Sequence, residues 1–274
     1  MTPLLAVRSG EAELATHVRG SGTPVVFLHA GVADRRMWDA QVAALDGERF
    51  RAVAYDRRGF GHSVHVDEAW SHVDDLARVL DAAAGDEPVV LVGCSQGGRI
   101  ALDAALAAPA RVRALVLVAP AISGAPDVTD VPPAIQAWID AVERAEAEAD
   151  VDRINALEAH AWLDGPLAPE GRVGGAAREL FLEMNEIALR AERRGTEHEP
   201  PPAFDRLHEL AAPALVVWGD LDFPHIARHC EMLAARLPRA RAHPMPGVAH
   251  LPNLERPDAF NRVLLNFLAE EVAR

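Results

Sequence analysis

The chain has 274 residues, 50% of them hydrophobic, enough for one large α/β domain with an insertion or for two small domains. It carries 27 basic against 41 acidic residues, and the net charge of −14 repels nucleic-acid phosphates and anionic lipid headgroups. All the basic residues are arginine; without lysine, Schiff-base enzymes, pyridoxal phosphate lysines and Walker-A phosphate loops are excluded.

Two cysteines, Cys94 and Cys230, are too few for a disulfide framework, and no C-x-x-C occurs. Residues Met1 to Gly10 lack the charged start and apolar core of a signal peptide, and no apolar run approaches 18 residues. The expectation is a cytoplasmic protein with neither membrane nor nucleic-acid partners.

Leu4 to Val7 and Glu13 to Val18 read as two strands joined at Ser9-Gly10. Pro24 to Leu28 is a buried strand that ends in His29-Ala30-Gly31, small residues that let a loop lie close to a ligand. Arg36 to Leu45 is an amphipathic helix carrying Trp38. Phe50 to Tyr55 is a strand running into Asp56-Arg57-Arg58-Gly59-Phe60-Gly61-His62-Ser63. Ser71 caps a helix from Val73 to Ala84, with Asp74 and Asp75 in its first turn. Pro88 opens a strand toward Ser95, a helix runs from Gly98 to about Ala108, and Arg113 to Val118 is a strand. This alternation predicts an α/β fold: a mostly parallel, doubly wound sheet of about eight strands flanked by helices.

The alternation breaks near Pro120. Residues 124–203 hold no convincing strand; Ala134 to Asp150, Val151 to Ala161 and Arg178 to Arg194 read as helices, closed by the stiff run Glu199-Pro200-Pro201-Pro202. We expect a helical cap at 124–203 inserted into a core of residues 1–123 and 204–274. The sheet resumes with Ala214 to Trp218, then a helix from Ile226 to Leu237, a strand from Arg239 to Met245 and a helix from Pro257 to Val272.

Gly93-Cys94-Ser95-Gln96-Gly97 is a G-x-S-x-G pentapeptide between a strand and a helix. So sharp a turn strains its central residue, and the flanking glycines remove Cβ atoms that would collide. The Ser95 hydroxyl then stands proud, and the Gln96 N–H at the helix start points the same way. Serine needs an adjacent base to act as a nucleophile. Asp222 and His250 each follow a later strand, and loops at the carboxyl ends of parallel strands share one edge. The serine, acid and base can therefore meet there.

Five stretches carry a resemblance: His29-Ala30-Gly31, Asp56 to Ser63, Gly93 to Gly98, Gly219-Asp220-Leu221-Asp222 and Gly247-Val248-Ala249-His250. Together they resemble the α/β-hydrolase fold family, above all its small helical-capped esterases and lactonases. Cofactor-free haloperoxidases and carbon–carbon bond hydrolases are near relatives. The resemblance implies Ser95 as nucleophile, His250 as base and Asp222 rather than Asp220 as acid, with no metal or cofactor. It also implies an oxyanion hole from the backbone N–H groups of Gln96 and Gly31. The family loop reads His-Gly-x, so Ala30 is a departure that leaves Ala30 itself open as the donor.

Trp138 and Trp162 are candidates to line the substrate cavity or to pack the cap. His225 and His229 have a zinc-compatible spacing but no third ligand nearby. The expected function is hydrolysis of a small, medium-to-hydrophobic carboxylic ester or lactone. Carbon–carbon bond hydrolysis and perhydrolysis are the alternatives, although Leu251, not an aromatic residue, follows His250. A non-catalytic ligand-binding receptor is the rival from another class. The expected partner is the substrate alone, with a homodimer left open.

Overall fold

The computed structural model describes residues 4–126 and 128–272. Strands β1 (Leu5–Ser9) and β2 (Ala12–Arg19) form an antiparallel pair. The remaining strands of the main sheet are β3 (Thr23–Leu28), β4 (Phe50–Tyr55), β5 (Val89–Cys94), β6 (Val112–Val118), β7 (Ala214–Gly219) and β8 (Ala240–Met245). They lie in the order β1-β2-β4-β3-β5-β6-β7-β8. Strand β2 pairs antiparallel with β4, and every pairing from β4 onward is parallel.

The central strands are buried on both faces, which is why they read as unbroken apolar runs. Their alternate side chains feed two cores. On one face Val26, Leu28 and Leu91 meet Leu76, Ile100 and Ile226. These come from helices α2 (His72–Ala84), α3 (Gln96–Ala107) and α7 (Pro224–Arg236). On the other face Val25, Phe27 and Val90 meet Val42, Phe260 and Leu264. These belong to α1 (Asp39–Ala44) and α9 (Pro257–Val272), the latter preceded by the short α8 (Pro252–Glu255). Ser71 caps α2 as expected, accepting from the Asp74 N–H.

Strand β3 has β4 on one side and β5 on the other, so the chain leaving β3 and the chain leaving β5 diverge and open a crevice at the sheet's carboxyl edge. Leu28 of β3 pairs with Gly93 of β5. Three residues beyond each lie Gly31 and Gln96. The same edge receives the loops after β7 and β8, where Gly219 pairs with Met245.

Between β6 and β7 the chain forms α4 (Pro133–Ala147), α5 (Val151–Glu158) and α6 (Gly175–Arg190). Four expectations change here and nearby. The segment does contain a strand: Thr196–Glu197 pairs in parallel with Ala69–Trp70, tying the end of 124–203 to the loop after β4. Two exposed polar residues have no periodicity to betray them. The expected helix through Ala161 becomes a π turn at Ala159–Asp164, and the third helix stops at Arg190. Residues 36–45 form a 3₁₀ turn, Arg35–Trp38, before α1, because Asp34 accepts from the Arg36 N–H and tightens the entry. Among the described residues no helix is long and apolar enough to cross a membrane.

Candidate active site

Ser95 sits at the turn from β5 into α3 with φ 53° and ψ −117°, a left-handed conformation that costs a non-glycine residue about 1–3 kcal/mol. Its surroundings hold it there. The Ser95 N–H donates to Val118 C=O at 2.9 Å, and the Ser95 C=O accepts from Arg99 and Ala121. The flanking glycines are sterically required. A Cβ on Gly93 would meet the Gly97 carbonyl carbon at 2.6 Å, and one on Gly97 would be driven into the carbonyl oxygens of Leu28 and His29. Close packing of the α3 start against the end of β3 thus depends on having no side chain at residue 97.

The Gln96 N–H opens α3, so it has no intrahelical partner. The two candidates for a second donor are separated by the structure. The Ala30 N–H donates to Met37 Sδ at 3.3 Å, whereas the Gly31 N–H is engaged in no hydrogen bond among the described residues. Gly31 and Gln96 line one cavity together. His29 lies beneath this loop. Its Nε2 accepts from the Arg57 N–H at 3.0 Å, so Nδ1 carries the proton and donates to Ala30 C=O at 2.8 Å. Burial, with the Arg57 charge close by, pushes the His29 imidazole well below its usual range, so it stays neutral.

His250 and Asp222 meet. His250 Nδ1 lies 2.7 Å from Asp222 Oδ2, and both side chains are almost fully buried. The other carboxylate oxygen of Asp222 accepts from the Phe223 N–H at 2.7 Å. Asp220 does not reach the imidazole; it accepts from the Gly247 N–H and thereby fixes the turn leading to His250. His250 Nε2 is buried without a hydrogen-bond partner among the described residues. The Cys94 thiol reaches the His250 C=O at 3.7 Å, so the turn carrying Ser95 and the loop carrying His250 lie against each other. Burial raises the Cys94 thiol well above its usual range and keeps it protonated.

Trp162, in the π turn, stacks over this site: its ring lies 4.7 Å from that of His250 and 4.7 Å from that of Phe223. Trp138 packs edge-on to both Trp162 and Phe223 and donates its indole N–H to Leu157 C=O. Both tryptophans line an apolar cavity of about 340 Å³ with Ile135 and Phe223. The cavity at Gly31 and Gln96, about 430 Å³, is different in kind. Its walls include His65, His72, Glu158, Asn185 and Arg193. Of these two spaces only the one lined by the tryptophans is apolar. The polar residues come from the loop after β4, the start of α2, α5, α6 and the chain just after α6, segments whose facing surfaces no local pattern predicts.

His225 and His229 lie edge-on with ring centres 6.0 Å apart, and among the described residues no group of three or more potential ligands could hold a metal ion. Two further contributors escaped the sequence analysis. Glu255 accepts from the Ala249 N–H at 2.7 Å and from Arg172 at 2.6 Å, and Arg172 also donates to Gly247 and to Leu163. This pair links the His250 turn to the π turn. Arg57 is the other: it lies within the Asp56–Ser63 stretch, but nothing there marks its contacts with Ala30 and Gln96.

Comparison with known proteins agrees with this architecture. The profile of the alpha/beta hydrolase family matches residues 25–263. A 2-hydroxy-6-oxo-6-phenylhexa-2,4-dienoate hydrolase from Burkholderia cepacia is 29% identical, over 91% of this chain and 89% of that protein. A putative carbamate hydrolase from Azorhizobium caulinodans is 30% identical, over 95% of this chain and 97% of that protein. Among solved structures, an esterase from Rhodococcus sp. superposes with a TM-score of 0.74 at 25% identity, covering 98% of this chain and 99% of that one. The profile match spans most of the chain and the sheet order accords with it: the protein is an enzyme of the alpha/beta hydrolase family.

Proposed function

We propose that this enzyme is a serine hydrolase that cleaves a small carboxylic ester or lactone through an acyl-enzyme. One observation carries the reading. A buried imidazole is paired on one nitrogen with a carboxylate and, among the described residues, left without a partner on the other, beside the strained turn that bears a serine. Asp222 accepts from Nδ1–H, which leaves the Nε2 lone pair free to act as a base. His250 takes the Ser95 proton as Oγ attacks the carbonyl carbon, and the carbonyl π electrons move onto oxygen. The Gly31 and Gln96 N–H groups receive that oxyanion. The intermediate collapses, the alcohol leaves with the proton from His250, and water repeats the sequence to release the acid and Ser95. In a lactone the alcohol remains part of the same product.

Residues 124–203 serve as the cap over a core of 1–123 and 204–274. The Trp162 ring against His250 and the Arg172–Glu255 pair support that role. Two unlike cavities flank the site, so we read the substrate as having one polar and one apolar part. Trp138 and Trp162 would contact the apolar part.

The test uses p-nitrophenyl esters and a fluorophosphonate probe. Wild type should hydrolyse the ester and become labelled on Ser95, and Ser95→Ala should lose about ten-thousand-fold or more in kcat while remaining folded. Near-normal turnover by Ser95→Ala would overturn the assignment. The Burkholderia relative favours a second reading, cleavage of a carbon–carbon bond in a ring-cleavage diketone by the same residues. Turnover of such diketones without ester hydrolysis would establish it.

A further inference from the structure

Arg57 is about 1% exposed, yet among the described residues no carboxylate lies within ion-pair distance of it. Its neighbour Arg58 shows the ordinary solution, a buried guanidinium gripped by Asp75 and Glu68. Burying a cation without a counter-ion is costly, so what its N–H groups hold is informative.

Arg57 Nη2 donates to Ala30 C=O at 3.0 Å, and Nη1 donates to Gln96 Oε1 at 2.7 Å. Its guanidinium lies 4.5 Å from the centre of the Phe60 ring, which closes off one face. The Ala30 C=O and the Gly31 N–H are opposite ends of a single planar trans peptide. A guanidinium anchored on the oxygen therefore fixes the direction of the N–H, and its charge polarises that peptide toward a stronger donor. The His29 Nδ1–H shares the same oxygen at 2.8 Å. At the other end, the Gln96 side chain is held over Gly31. Its Oε1 lies 3.2 Å from where a Gly31 Cβ would stand. Both backbone N–H groups assigned above to the oxyanion hole belong to segments that Arg57 grips.

We infer that Arg57 is a positioning residue of the oxyanion hole, clamping the Ala30–Gly31 peptide and the Gln96 side chain so that the two N–H donors keep a fixed mutual geometry. This rests on the serine hydrolase reading. The clamp also accounts for a departure from the family loop, since Ala30 has no glycine-like freedom and the peptide after it is held from outside.

The test compares wild type with Arg57→Met, Arg57→Lys and Gln96→Leu on p-nitrophenyl acetate, each first checked for folding by circular dichroism. Gln96→Leu keeps its backbone N–H but loses the acceptor for Arg57. Arg57→Met is expected to lower kcat about 10–100-fold with KM within about threefold, because the donors matter most when charge develops. Affinity for an alkyl boronic acid, which forms a tetrahedral adduct on serine, should fall in parallel. Arg57→Lys should recover part of the loss, since an ammonium reaches one of the two acceptors. Gln96→Leu should lose less than Arg57→Met. A folded Arg57→Met with wild-type kcat, or a loss confined to KM, would overturn the inference. If Arg57→Met does not fold, wild-type kcat in both Arg57→Lys and Gln96→Leu would overturn it equally. An inactive wild type that also resists the fluorophosphonate would refute the hydrolase reading itself, a result distinct from an active wild type with unaltered variants.

Discussion

Replacing Asp222 with asparagine separates it from Asp220 more sharply than any other change. The side chains of Asp222 and His250 are 0% and 2% exposed and 2.7 Å apart, so no water competes for the imidazole. Asparagine is nearly isosteric, but it presents either an amide N–H or a weaker neutral acceptor to Nδ1. The first choice stabilises the tautomer with its proton on Nε2, which is useless as a base; the second no longer stabilises the imidazolium. A loss of about ten-thousand-fold in kcat/KM is expected, equivalent to about 5 kcal/mol of transition-state stabilisation. Asp220→Asn retains an acceptor for the Gly247 N–H at an exposed site and should lose less than about tenfold. Steady-state hydrolysis of p-nitrophenyl acetate from pH 6 to 9 measures both. If Asp220→Asn proved the more damaging change, the assignment of the acid would fail.

Gly97→Ala should be strongly disruptive, because the new Cβ would be driven into two backbone carbonyls; Gly174→Ala, with nothing within 4 Å, is the control. Overpacking costs about 1–3 kcal/mol, so thermal denaturation should show a fall of several degrees for Gly97→Ala alone. Burial pushes Glu255 up to about 7, against an unfolded value near 4.5. Between those values the folded protein holds the extra proton, so stability should fall by about 3 kcal/mol as pH rises from 4.5 through 7. Glu255→Gln should flatten that slope in urea titrations at pH 5 and pH 8; parallel curves for wild type and variant would contradict it. Trp162→Ala should uncover His250 and widen the range of esters hydrolysed. Its stability cost should stay below the about 3–5 kcal/mol of a fully buried ring, since Trp162 is half-buried. Unchanged KM values across an ester series would count against its place over the site.

The strands and their parallel arrangement were legible in the sequence, because strands buried on both faces must be continuously apolar and helices must show one apolar stripe. The strained turn at Ser95 was legible for a related reason. A strained turn needs glycines at fixed offsets, and sterics within five residues leave a local signature. Chain order alone carried Asp222 and His250 to one edge of the sheet. Choices made across long separations were not legible. Met37 occupies the Ala30 N–H and leaves that of Gly31; Trp162 lies on the imidazole; Arg57 grips two loops with no counter-ion among the described residues. The two-residue strand at Thr196–Glu197 and the polar wall of the cavity beside Gly31 belong with these. Sequence patterning records what each segment needs from its own neighbours and from burial. Which N–H is left unengaged, or which ring comes to lie over an imidazole, is settled only when separate segments pack and compete for the same partners.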